Sequence, residues 1–560
     1  MRRSAVFSVF TSALLASAIL DSSSCTLSAA SPGIDAIKTT DLREWLTYIA
    51  SDELEGRGTY TAGLGLAAGY IQQHLRQWGV TPAGDAGSYI QTARVLGVKA
   101  KSRSSVTVTV RGQSRTFKDG EGVTFPAFQG APRSMTLDRV HFAGYGLHAP
   151  GAGQDDFRGR TVRGAAVVFM GGRGPENVDL QQYRRVIGGR GRHATEQLGA
   201  AFSVGPAAES AQAARTAETL PASDTRPDFT TAQRLDRPVA PSITASDDFF
   251  KFVFSRAPVE YDELKPKADG RAPLSPFDLD DVTLAFTVDV DYTVVRTQFT
   301  QNIVGIVEGS DPVLRSGYVA LGAHYDHVGY ADAEVTTDGS RRPASPGRVT
   351  AGAINDRIWN GADDDGSGTV ALMALAKAFA QGQRPRRSLL FVWHAGEERG
   401  LLGSRYFADY PTVPIDQIVA QLNLDMIGRN RDDKAEEANT VYVVGSDRIS
   451  TELHEIHREA NASLPKALTL DYEMNDPSDA EQVYYRSDHY SYAAKGIPII
   501  FLTTGLHPDY HANTDDVSKI EFDKLTRVAQ LVYETAVRLG NRDRAPLRDN
   551  QGARAGKGTK

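Results

Sequence analysis

Two adjacent glutamates, Glu397 and Glu398, follow an apolar run at residues 389–393. The run predicts a buried strand, and the glycine-bearing stretch after it predicts a loop that leads into a helix. Ligands bind outside the carboxyl ends of strands in open α/β sheets, so acids at this position are candidates for chemistry. We expect Glu398 to ligate a metal and Glu397 to act as the general base that takes a proton from the attacking water. The alternative is a pair of solvated acids at a helix N-terminus, where the helix dipole favours negative charge.

A histidine and an aspartate follow a second candidate strand at residues 318–322. His324 stands where this strand ends, and Asp326 follows two residues later. A carboxylate at this spacing can hydrogen-bond the ring nitrogen that does not face a metal, which orients the imidazole. By itself this pair is a weak signal for a metal site.

Three aspartates stand together in the sequence NGADDDGSG at residues 360–368, directly before a helical pattern. A helix-capping aspartate explains one of these acids but not all three. Two cations held about 3.5–4 Å apart need a carboxylate that contacts both. Asp364, the middle acid, is therefore the predicted bridging residue.

Two further strand ends complete a set of possible ligands. Asp425 follows the candidate strand at residues 418–424, and His511 lies in the loop after the candidate strand at residues 499–502. The set offers two nitrogen ligands and three carboxylates, a mixture that zinc accepts, and consists of His324, Asp364, Glu398, Asp425 and His511. The sequence thus predicts a site for two Zn²⁺ ions.

The elements that must position these residues alternate between strand and helix from residue 282 onward. This order predicts an α/β fold with a mixed, mostly parallel central sheet covered by helices. Strands are predicted at 282–295, 301–307, 318–322, 389–393, 418–424, 441–444 and 499–502, and helices at 34–50, 62–78, 368–380, 451–460 and 521–539. Residues 331–358 are long for a connection and predict a surface loop near the site. Residues 119–276 alternate short β-rich runs with glycine- and proline-rich loops, which indicates an inserted domain.

The N-terminal residues, the single cysteine and the net charge indicate the localisation of the protein and the kinds of partner it has. Arg2 and Arg3 precede an apolar run at residues 5–20, which is typical of a secretory signal peptide and short for a membrane span. We therefore expect export to the periplasm or the extracellular space, without a stable membrane partner. The only cysteine, Cys25, follows serines rather than leucine, which disfavours lipidation, and no intramolecular disulfide can form. A net charge of -7 gives no basic footprint, which argues against nucleic acid as a partner.

The motifs occur in a characteristic order: AHYDHVG, NGADDDGSG, AGEERGLLGS, NLDMIG, RSDHYSYAAKGIP and DYH. Together they resemble the co-catalytic di-zinc exopeptidase family, which contains secreted bacterial aminopeptidases, glutamate carboxypeptidase and the transferrin receptor. The resemblance covers residues 282–540, and the earlier segment SDELEGRGT also resembles the N-terminal part of the family.

The resemblance implies a role for each matching residue. One zinc would be held by His324 and Asp425 and the other by Glu398 and His511, with Asp364 bridging them. It also makes Glu397 the base, Asp326 the carboxylate behind His324, and Tyr510 a stabiliser of the oxyanion.

The inserted segment resembles a protease-associated domain, through FAGYGLHAPGAGQDDFRGRTVRGAAVVFMGG and the later stretch RHATEQLGAAFSVG. Both a passive structural role and a role in specificity are open for it. The predicted organisation is a signal peptide at 1–30, the N-terminal part of the peptidase domain at 31–118, the inserted β-rich protease-associated domain at 119–276, the zinc peptidase catalytic domain at 277–541, and a disordered tail at 542–560.

The implied activity is that of a secreted zinc-dependent aminopeptidase acting on peptide substrates. A carboxypeptidase or dipeptidase on the same metal core is the alternative among enzymes, and basic residues that clamp a terminal carboxylate would distinguish it. A glutaminyl cyclase typically uses a single zinc, and the intact set of five ligands argues against that activity. A non-catalytic binding protein of the same fold is the alternative from another class, but such relatives have lost metal ligands that this chain keeps.

Overall fold

Two ten-stranded sheets organise the part of the chain that the computed structural model describes, which comprises residues 33–207, 228–331 and 345–550. The predicted signal peptide and Cys25 lie outside these residues. Among the described helices, none has the length and apolar character needed to cross a membrane.

The strands and helices are numbered here in chain order. The strands are β1 (Thr81–Pro82), β2 (Ile90–Ser102), β3 (Ser105–Val110), β4 (Gln113–Asp119), β5 (Gly122–Thr124), β6 (Arg133–Leu137), β7 (Val140–Phe142), β8 (His148–Ala149), β9 (Gln154–Asp155), β10 (Ala166–Val168), β11 (Phe202–Pro206), β12 (Asp228–Thr230), β13 (Ser242–Ala245), β14 (Phe277–Asp278), β15 (Val282–Val288), β16 (Val290–Val307), β17 (Tyr318–His324), β18 (Gly329–Tyr330), β19 (Ile358–Trp359), β20 (Ser388–His394), β21 (Ile418–Leu424), β22 (Thr440–Val444), β23 (Thr469–Asp471) and β24 (Ile499–Thr503). The α-helices are α1 (Thr39–Ile49), α2 (Ala62–Trp78), α3 (Arg184–Arg192), α4 (Ala232–Asp236), α5 (Asp247–Val253), α6 (Tyr261–Asp269), α7 (Gly368–Gln381), α8 (Leu402–Asp409), α9 (Thr451–Ser463), α10 (His489–Ala493) and α11 (Phe522–Asn541).

The main sheet has the strand order β12-β2-β16-β20-β17-β21-β24-β22-β23, with β1 beside β16. Strands β20, β17, β21 and β24 run parallel to one another at its centre. The neighbours on both sides of this parallel block, β16 and β22, are antiparallel to it. The predicted α/β fold with a mixed sheet is confirmed, and the parallel pairing is concentrated in the block that carries the candidate site.

Helices cover both faces of the main sheet. Leu389, Phe391 and Trp393 of β20 pack into the core formed with α1, α2, α7 and α11. Leu390 and Val392, the alternate residues, pack into the opposite core with α8 and α10. A strand that is buried on both faces has an uninterrupted apolar sequence, which explains why the run at 389–393 was recognisable.

The second sheet has the order β14-β7-β10-β11-β13-β5-β4-β3-β15-β6 and shares no strand with the main sheet. Its apolar core includes residues of α3, α5 and α6. Strands β7, β10, β11 and β13 form a second parallel block. We call this unit the inserted domain, and we call the unit built on the main sheet the catalytic unit because it contains the residues predicted to be catalytic.

The second sheet extends beyond the predicted segment 119–276 at both ends. It begins with β3 at Ser105 and ends with β15 at Val288. The strand predicted at 282–295 is in fact two strands that separate at Asp289, because β15 pairs with β3 whereas β16 pairs with β2 of the main sheet. The alternating pattern continues across this point, so it gives no sign that the chain changes sheets.

Residues 542–550, the first part of the predicted tail, contact the rest of the described chain. Glu452, at the start of α9, accepts hydrogen bonds from Arg544 at 2.7 and 2.9 Å and from the Leu547 backbone at 2.9 Å. Further contacts join Asp543 to Arg386 and Asp549 to the Thr451 backbone, although the segment lacks any periodic pattern of its own.

Candidate metal centre

The parallel block of the main sheet brings the predicted ligands to one edge. Strand β17 ends at His324, and Asp425 follows the last residue of β21. Glu398 lies in the loop after β20, and His511 lies in the loop after β24. Since the four strands are parallel, their carboxyl ends meet, and all five predicted ligands converge there with Asp364 between them.

Asp364 has one carboxylate oxygen in each of two clusters. In the first cluster, His324 Nε2 lies 3.3 Å from Asp364 Oδ1 and 3.6 Å from Asp425 Oδ1. In the second cluster, His511 Nε2 lies 3.1 Å from Asp364 Oδ2 and 3.0 Å from Glu398 Oε2. A carboxylate that is shared between two clusters is the arrangement expected for a bridge between two cations.

The donor atoms fit a zinc site in chemistry and in spacing. Tetrahedral zinc with ligands at about 2.0–2.2 Å requires neighbouring donor atoms to lie about 3.3 Å apart, and the contacts within the two clusters span 3.0 to 3.6 Å. Asp364 Oδ2 and Glu398 Oε1 are also buried without a hydrogen bond of acceptable geometry. Buried polar atoms that approach one another without forming hydrogen bonds are what a bound cation would satisfy.

His327 also lies at the second cluster, and sequence reasoning missed it. Its Nδ1 lies 3.0 Å from Glu398 Oε1 and 3.9 Å from Asp364 Oδ2. The ring is fully buried, and neither ring nitrogen has a hydrogen bond of acceptable geometry. The motif AHYDHVG contains the signal, since His327 follows His324 by three residues.

Asp365, the third acid of the aspartate loop, supports the backbone. Asp365 accepts hydrogen bonds from the backbone N–H groups of Gly368 at 2.9 Å, Met426 at 3.2 Å and His324 at 3.1 Å. Asp365 lies close enough to His324 and Asp425 to count as a candidate ligand by distance. We nevertheless assign it a structural role, because both of its oxygens already accept hydrogen bonds.

Asp326 lies behind His324, but its carboxylate has other partners. The Nδ1 of His324 is 3.1 Å from the backbone carbonyl of Asp326 and 3.7 Å from the carboxylate, which is too long for a hydrogen bond. The carboxylate accepts hydrogen bonds from the Thr59 hydroxyl at 2.8 Å and from the Glu397 backbone at 3.1 Å. The backbone of Asp326 thus orients the imidazole, and its side chain holds the loop that carries the two glutamates.

Arg57, in the segment SDELEGRGT, is a buried cation that ties together the loops around the site. Its guanidinium donates hydrogen bonds to the backbone carbonyls of Tyr325 at 3.0 Å, Asn360 at 2.6 Å, Gly361 at 2.8 Å and Ile49 at 2.6 Å. Burial lowers its pKa to about 10, while the surrounding aspartates oppose this shift. Arg57 therefore supplies a permanent positive charge behind a site that is rich in carboxylates.

The described part of the long connection, residues 345–358, packs against the loop that carries Tyr510 and His511. Arg348 donates hydrogen bonds to the carbonyls of Pro508 at 2.6 Å and Tyr510 at 2.6 and 3.1 Å, and its backbone N–H donates to His511 at 2.7 Å. His511 itself has a φ of 52°, which a non-glycine residue adopts only when its surroundings hold it there. The connection thus helps to orient a candidate ligand.

Glu397 faces a cavity of about 250 Å³ beside the two clusters. Met426, Phe501 and Leu506 contribute apolar lining, and Arg486 and Tyr510 contribute polar groups. A group bound in this cavity would contact Glu397, the candidate base, while lying next to Asp364, Asp425 and His511, which also line it.

The electrostatics of the site separate the two adjacent glutamates. Burial raises the pKa of Glu397 well above its usual range, with Glu398 and Asp425 adding to the rise and His324 opposing it. Burial also opposes charge on Glu398, but the neighbouring His327 and His511 lower the pKa of Glu398 to about 2. Glu398 is thus held as an anion, as a ligand must be, whereas Glu397 has the higher proton affinity that a general base needs.

The carboxylates of the site also change the pKa values of His511 and Tyr510. Burial opposes charge on His511, yet Asp364 and Glu398 within hydrogen-bonding distance raise the pKa of its imidazole to about 11. Burial and the nearby carboxylates raise the pKa of Tyr510, so its hydroxyl keeps its proton at neutral pH and can donate it in a hydrogen bond.

Two curated aminopeptidases are similar to part of this chain. Leucine aminopeptidase 1 of Trichophyton equinum is 28% identical over 249 residues, which cover 42% of this chain and 58% of that protein. A probable leucine aminopeptidase of Arthroderma benhamiae is 30% identical over 221 residues, which cover 36% of this chain and 57% of that protein. The chain thus spans a little over half the length of the curated relatives it matches.

Among solved structures, the chain is similar to BSAP, a zinc aminopeptidase from Bacillus subtilis, at 17% identity and a TM-score of 0.42, covering 92% of this chain and 99% of that one. It is similar to the aminopeptidase from Aneurinibacillus sp. strain AM-1 at 15% identity and a TM-score of 0.42, covering 92% and 97%. Residues 302–536, which contain every predicted ligand, match the profile of Peptidase family M28.

Proposed function

We propose that this protein is a zinc-dependent aminopeptidase that removes N-terminal residues from peptides. The observation that carries the proposal is the placement of Asp364, whose two oxygens face His324 at 3.3 Å and His511 at 3.1 Å, beside a cavity that Glu397 lines. The match of residues 302–536 to Peptidase family M28 and the names of the matching relatives support the reaction class.

Two zinc ions would occupy the two clusters. His324 and Asp425 would hold one ion, Glu398 and His511 the other, and Asp364 would contact both, with His327 next to the second ion. When bound, the ions polarise the scissile carbonyl and lower the pKa of water.

The protein's own groups move the protons. The Glu397 carboxylate accepts a proton from the attacking water and then passes it to the nitrogen of the leaving amine. The raised pKa of Glu397 suits both transfers, because the group has to bind a proton and release it within one turnover. The Tyr510 hydroxyl lines the same cavity and can donate a hydrogen bond to the oxygen on which negative charge develops.

The charges around the cavity favour a substrate ammonium group over a terminal carboxylate. Arg431 and Arg486 line the cavity, but Arg431 is paired with Glu473 at 3.2 Å and Arg486 with Glu481 at 3.1 Å. Asp432 and Asp479 add further acidic groups to the lining. A carboxypeptidase or dipeptidase needs a cation that can bind a carboxylate, whereas both of these arginines already have carboxylate partners.

The test is hydrolysis of a mixed peptide set in which each peptide is offered with a free and with an acetylated N-terminus. We expect release of N-terminal amino acids from the free-amine peptides, loss of this activity after chelator treatment, and recovery on adding zinc. The Glu397→Gln variant, loaded with zinc, is the matched inactive control. Cleavage of acetylated peptides from their other end would reassign the enzyme as a carboxypeptidase, and the absence of any cleavage would favour a binding protein.

Export is a further part of the proposal and is supported by the N-terminal residues Arg2 and Arg3 and the apolar run that follows them. Mass spectrometry of the secreted and the cell-associated protein would locate the mature N-terminus. Retention of residues 1–30 on the mature protein would contradict cleavage of a signal peptide.

A further inference from the structure

One helix of the inserted domain contacts the segment of the catalytic unit that lines the cavity. Arg185 on α3 donates from Nε to Glu481 Oε2 at 2.8 Å. At the end of α3, the guanidinium carbon of Arg192 lies 5.3 Å from the centre of the Tyr485 ring. In the turn that follows, Glu196 accepts a hydrogen bond of 2.9 Å from the Tyr490 hydroxyl.

The same segment reaches the candidate catalytic groups on its other side. Glu481 Oε2, the atom that Arg185 contacts, also accepts a hydrogen bond of 3.1 Å from Arg486 Nη1. Nη2 of Arg486 in turn donates to the Tyr510 hydroxyl oxygen at 3.4 Å. A chain of four side chains, Arg185–Glu481–Arg486–Tyr510, therefore runs from the inserted domain to the cavity.

This series of contacts determines the direction in which the Tyr510 hydroxyl can donate its hydrogen bond. A guanidinium only donates hydrogen bonds, so the contact with Arg486 occupies a lone pair of the Tyr510 oxygen and leaves its proton available to another acceptor. A carbonyl oxygen in the cavity is such an acceptor. The orientation of Arg486 thus decides whether Tyr510 donates toward the substrate.

Glu481 is held by its two arginine partners rather than by burial. Its side chain is 48% exposed, and that of Arg185 is 40% exposed. An exposed ion pair of this kind contributes little to the free energy of unfolding. Without Arg185, however, the Glu481 carboxylate has one partner fewer on the oxygen that it shares with Arg486, and it gains freedom to turn toward solvent.

We propose that Arg185 of the inserted domain is a positioning residue for the cavity, and that it holds Arg486 and Tyr510 in their productive orientation through Glu481. This inference rests on the proposed function for its catalytic consequence, but its structural part does not. The inserted domain would thus take part in substrate turnover through the side chain of Arg185.

The kinetic test compares Arg185→Ala with Arg185→Lys and Arg184→Ala, using a free-amine peptide substrate and zinc-loaded protein. Arg184 neighbours Arg185 on α3, and its side chain forms no hydrogen bond or ion pair with any described residue, so it is the matched control. We expect kcat/KM to fall about tenfold in Arg185→Ala, mainly through kcat, to recover largely in Arg185→Lys, and to stay unchanged in Arg184→Ala. The zinc content and the Tm should be the same in all four proteins.

A merely structural role for Arg185 is tested in a Tyr510→Phe background. If Arg185 acts through Tyr510, removing it costs much less once the hydroxyl is gone, and the two changes are not additive. An equal loss from Arg185→Ala in both backgrounds would overturn the proposal, as would wild-type kinetics in Arg185→Ala.

Hydrogen–deuterium exchange of residues 481–490 gives a readout that does not need activity. We expect faster exchange there in Arg185→Ala than in the wild type or Arg184→Ala. If the wild type cleaves no free-amine peptide, the proposed function fails, while the exchange result still decides whether Arg185 holds this segment. Unchanged exchange would overturn the inference whatever the activity.

Discussion

Both sheets of this protein contain a block of four parallel strands, but only one block carries candidate metal ligands at its carboxyl edge. In the catalytic unit, β17 ends at His324, Asp425 follows β21, and the loop after β20 carries the two glutamates. Among the described residues, both clusters of histidines and acids that can hold a metal lie at this edge.

In the inserted domain, the residues that follow the corresponding strands are Ala143, Phe169, Ala207 and Ser246. Their backbone N–H groups continue the hydrogen bonding of the sheet, as Ala143 does to Val168 at 2.8 Å and Phe169 does to Val204 at 3.0 Å. A parallel block therefore provides a place for a site, and the side chains at its edge decide whether one forms.

Replacing one buried acid in each unit should produce the largest difference between the two units, and this difference is one of metal content. Asp364→Ala should lose bound metal and all detectable activity, because both oxygens of Asp364 face ligand histidines. Asp156→Ala in the inserted domain should keep the metal, because Asp156 accepts hydrogen bonds from Leu147 and Gln154 and serves local structure. Elemental analysis of each purified variant measures the zinc content, and two zinc ions in Asp364→Ala would contradict the bridging role.

The two adjacent glutamates allow a sharper test within the catalytic edge. Glu397→Gln should lower turnover by about 10²–10⁴-fold, the usual contribution of a general base, while zinc stays bound. Glu398→Gln should instead lose metal, since its Oε2 lies 3.0 Å from His511 Nε2. Turnover and zinc content are measured on both variants. Loss of zinc in Glu397→Gln, with zinc retained in Glu398→Gln, would contradict the assignment of the two roles.

Each unit also contains a buried arginine that donates hydrogen bonds to backbone carbonyls, so the effect of the same substitution can be compared between the two units. Arg57 donates to four backbone carbonyls around the metal centre, and Arg190 donates to Tyr145 at 3.2 Å and Gly171 at 2.6 Å in the inserted domain. Arg57→Met should lower the free energy of unfolding by about 3 kcal/mol or more, because each unpaired buried carbonyl costs about 1–3 kcal/mol.

Zinc affinity separates the two arginine variants. Arg57→Met should bind zinc more weakly, whereas Arg190→Met should lose stability and keep its zinc affinity. Urea unfolding and competition with a chelating dye measure the two quantities. Unaltered zinc affinity in Arg57→Met would show that this arginine stabilises the fold without shaping the site.

Acid should weaken the catalytic unit by a smaller amount through buried histidines that are remote from the metal centre. Burial lowers the pKa of His457 to about 3, below the value of about 6.5 expected in the unfolded chain. The unfolded chain therefore takes up the proton first, so this contribution to stability is present above pH 6.5 and is lost as the pH falls toward 3. The loss is at most about 1.4 kcal/mol per pH unit for one group.

His457→Leu should cost stability at pH 7, because it removes the contact of 3.0 Å with the Thr535 hydroxyl. Its stability should then fall less steeply with acid than that of the wild type. Urea midpoints at pH 7, 6 and 5 measure this difference, and parallel slopes for the two proteins would contradict the assignment.

The sequence by itself determined the main elements and the edge of the sheet that carries chemistry. The run at 389–393 became β20, and the acids and histidines that follow the predicted strands converge, because parallel strands end at one edge. Local patterns carry this information, since a strand buried on both faces is uninterruptedly apolar and a chemical residue at its end breaks the run.

Only the tertiary structure decided which neighbours of these residues matter. His327, Arg57, Arg348 and Arg185 act through contacts with residues that are distant in sequence, as in the contact of Arg57 with the Gly361 carbonyl and that of Arg185 with Glu481. The change of sheet at Asp289 was hidden for the same reason, because β15 and β16 share one alternating pattern and differ only in their partners. A local pattern records whether a side chain is buried, whereas the identity of its partner depends on how the whole chain folds back on itself.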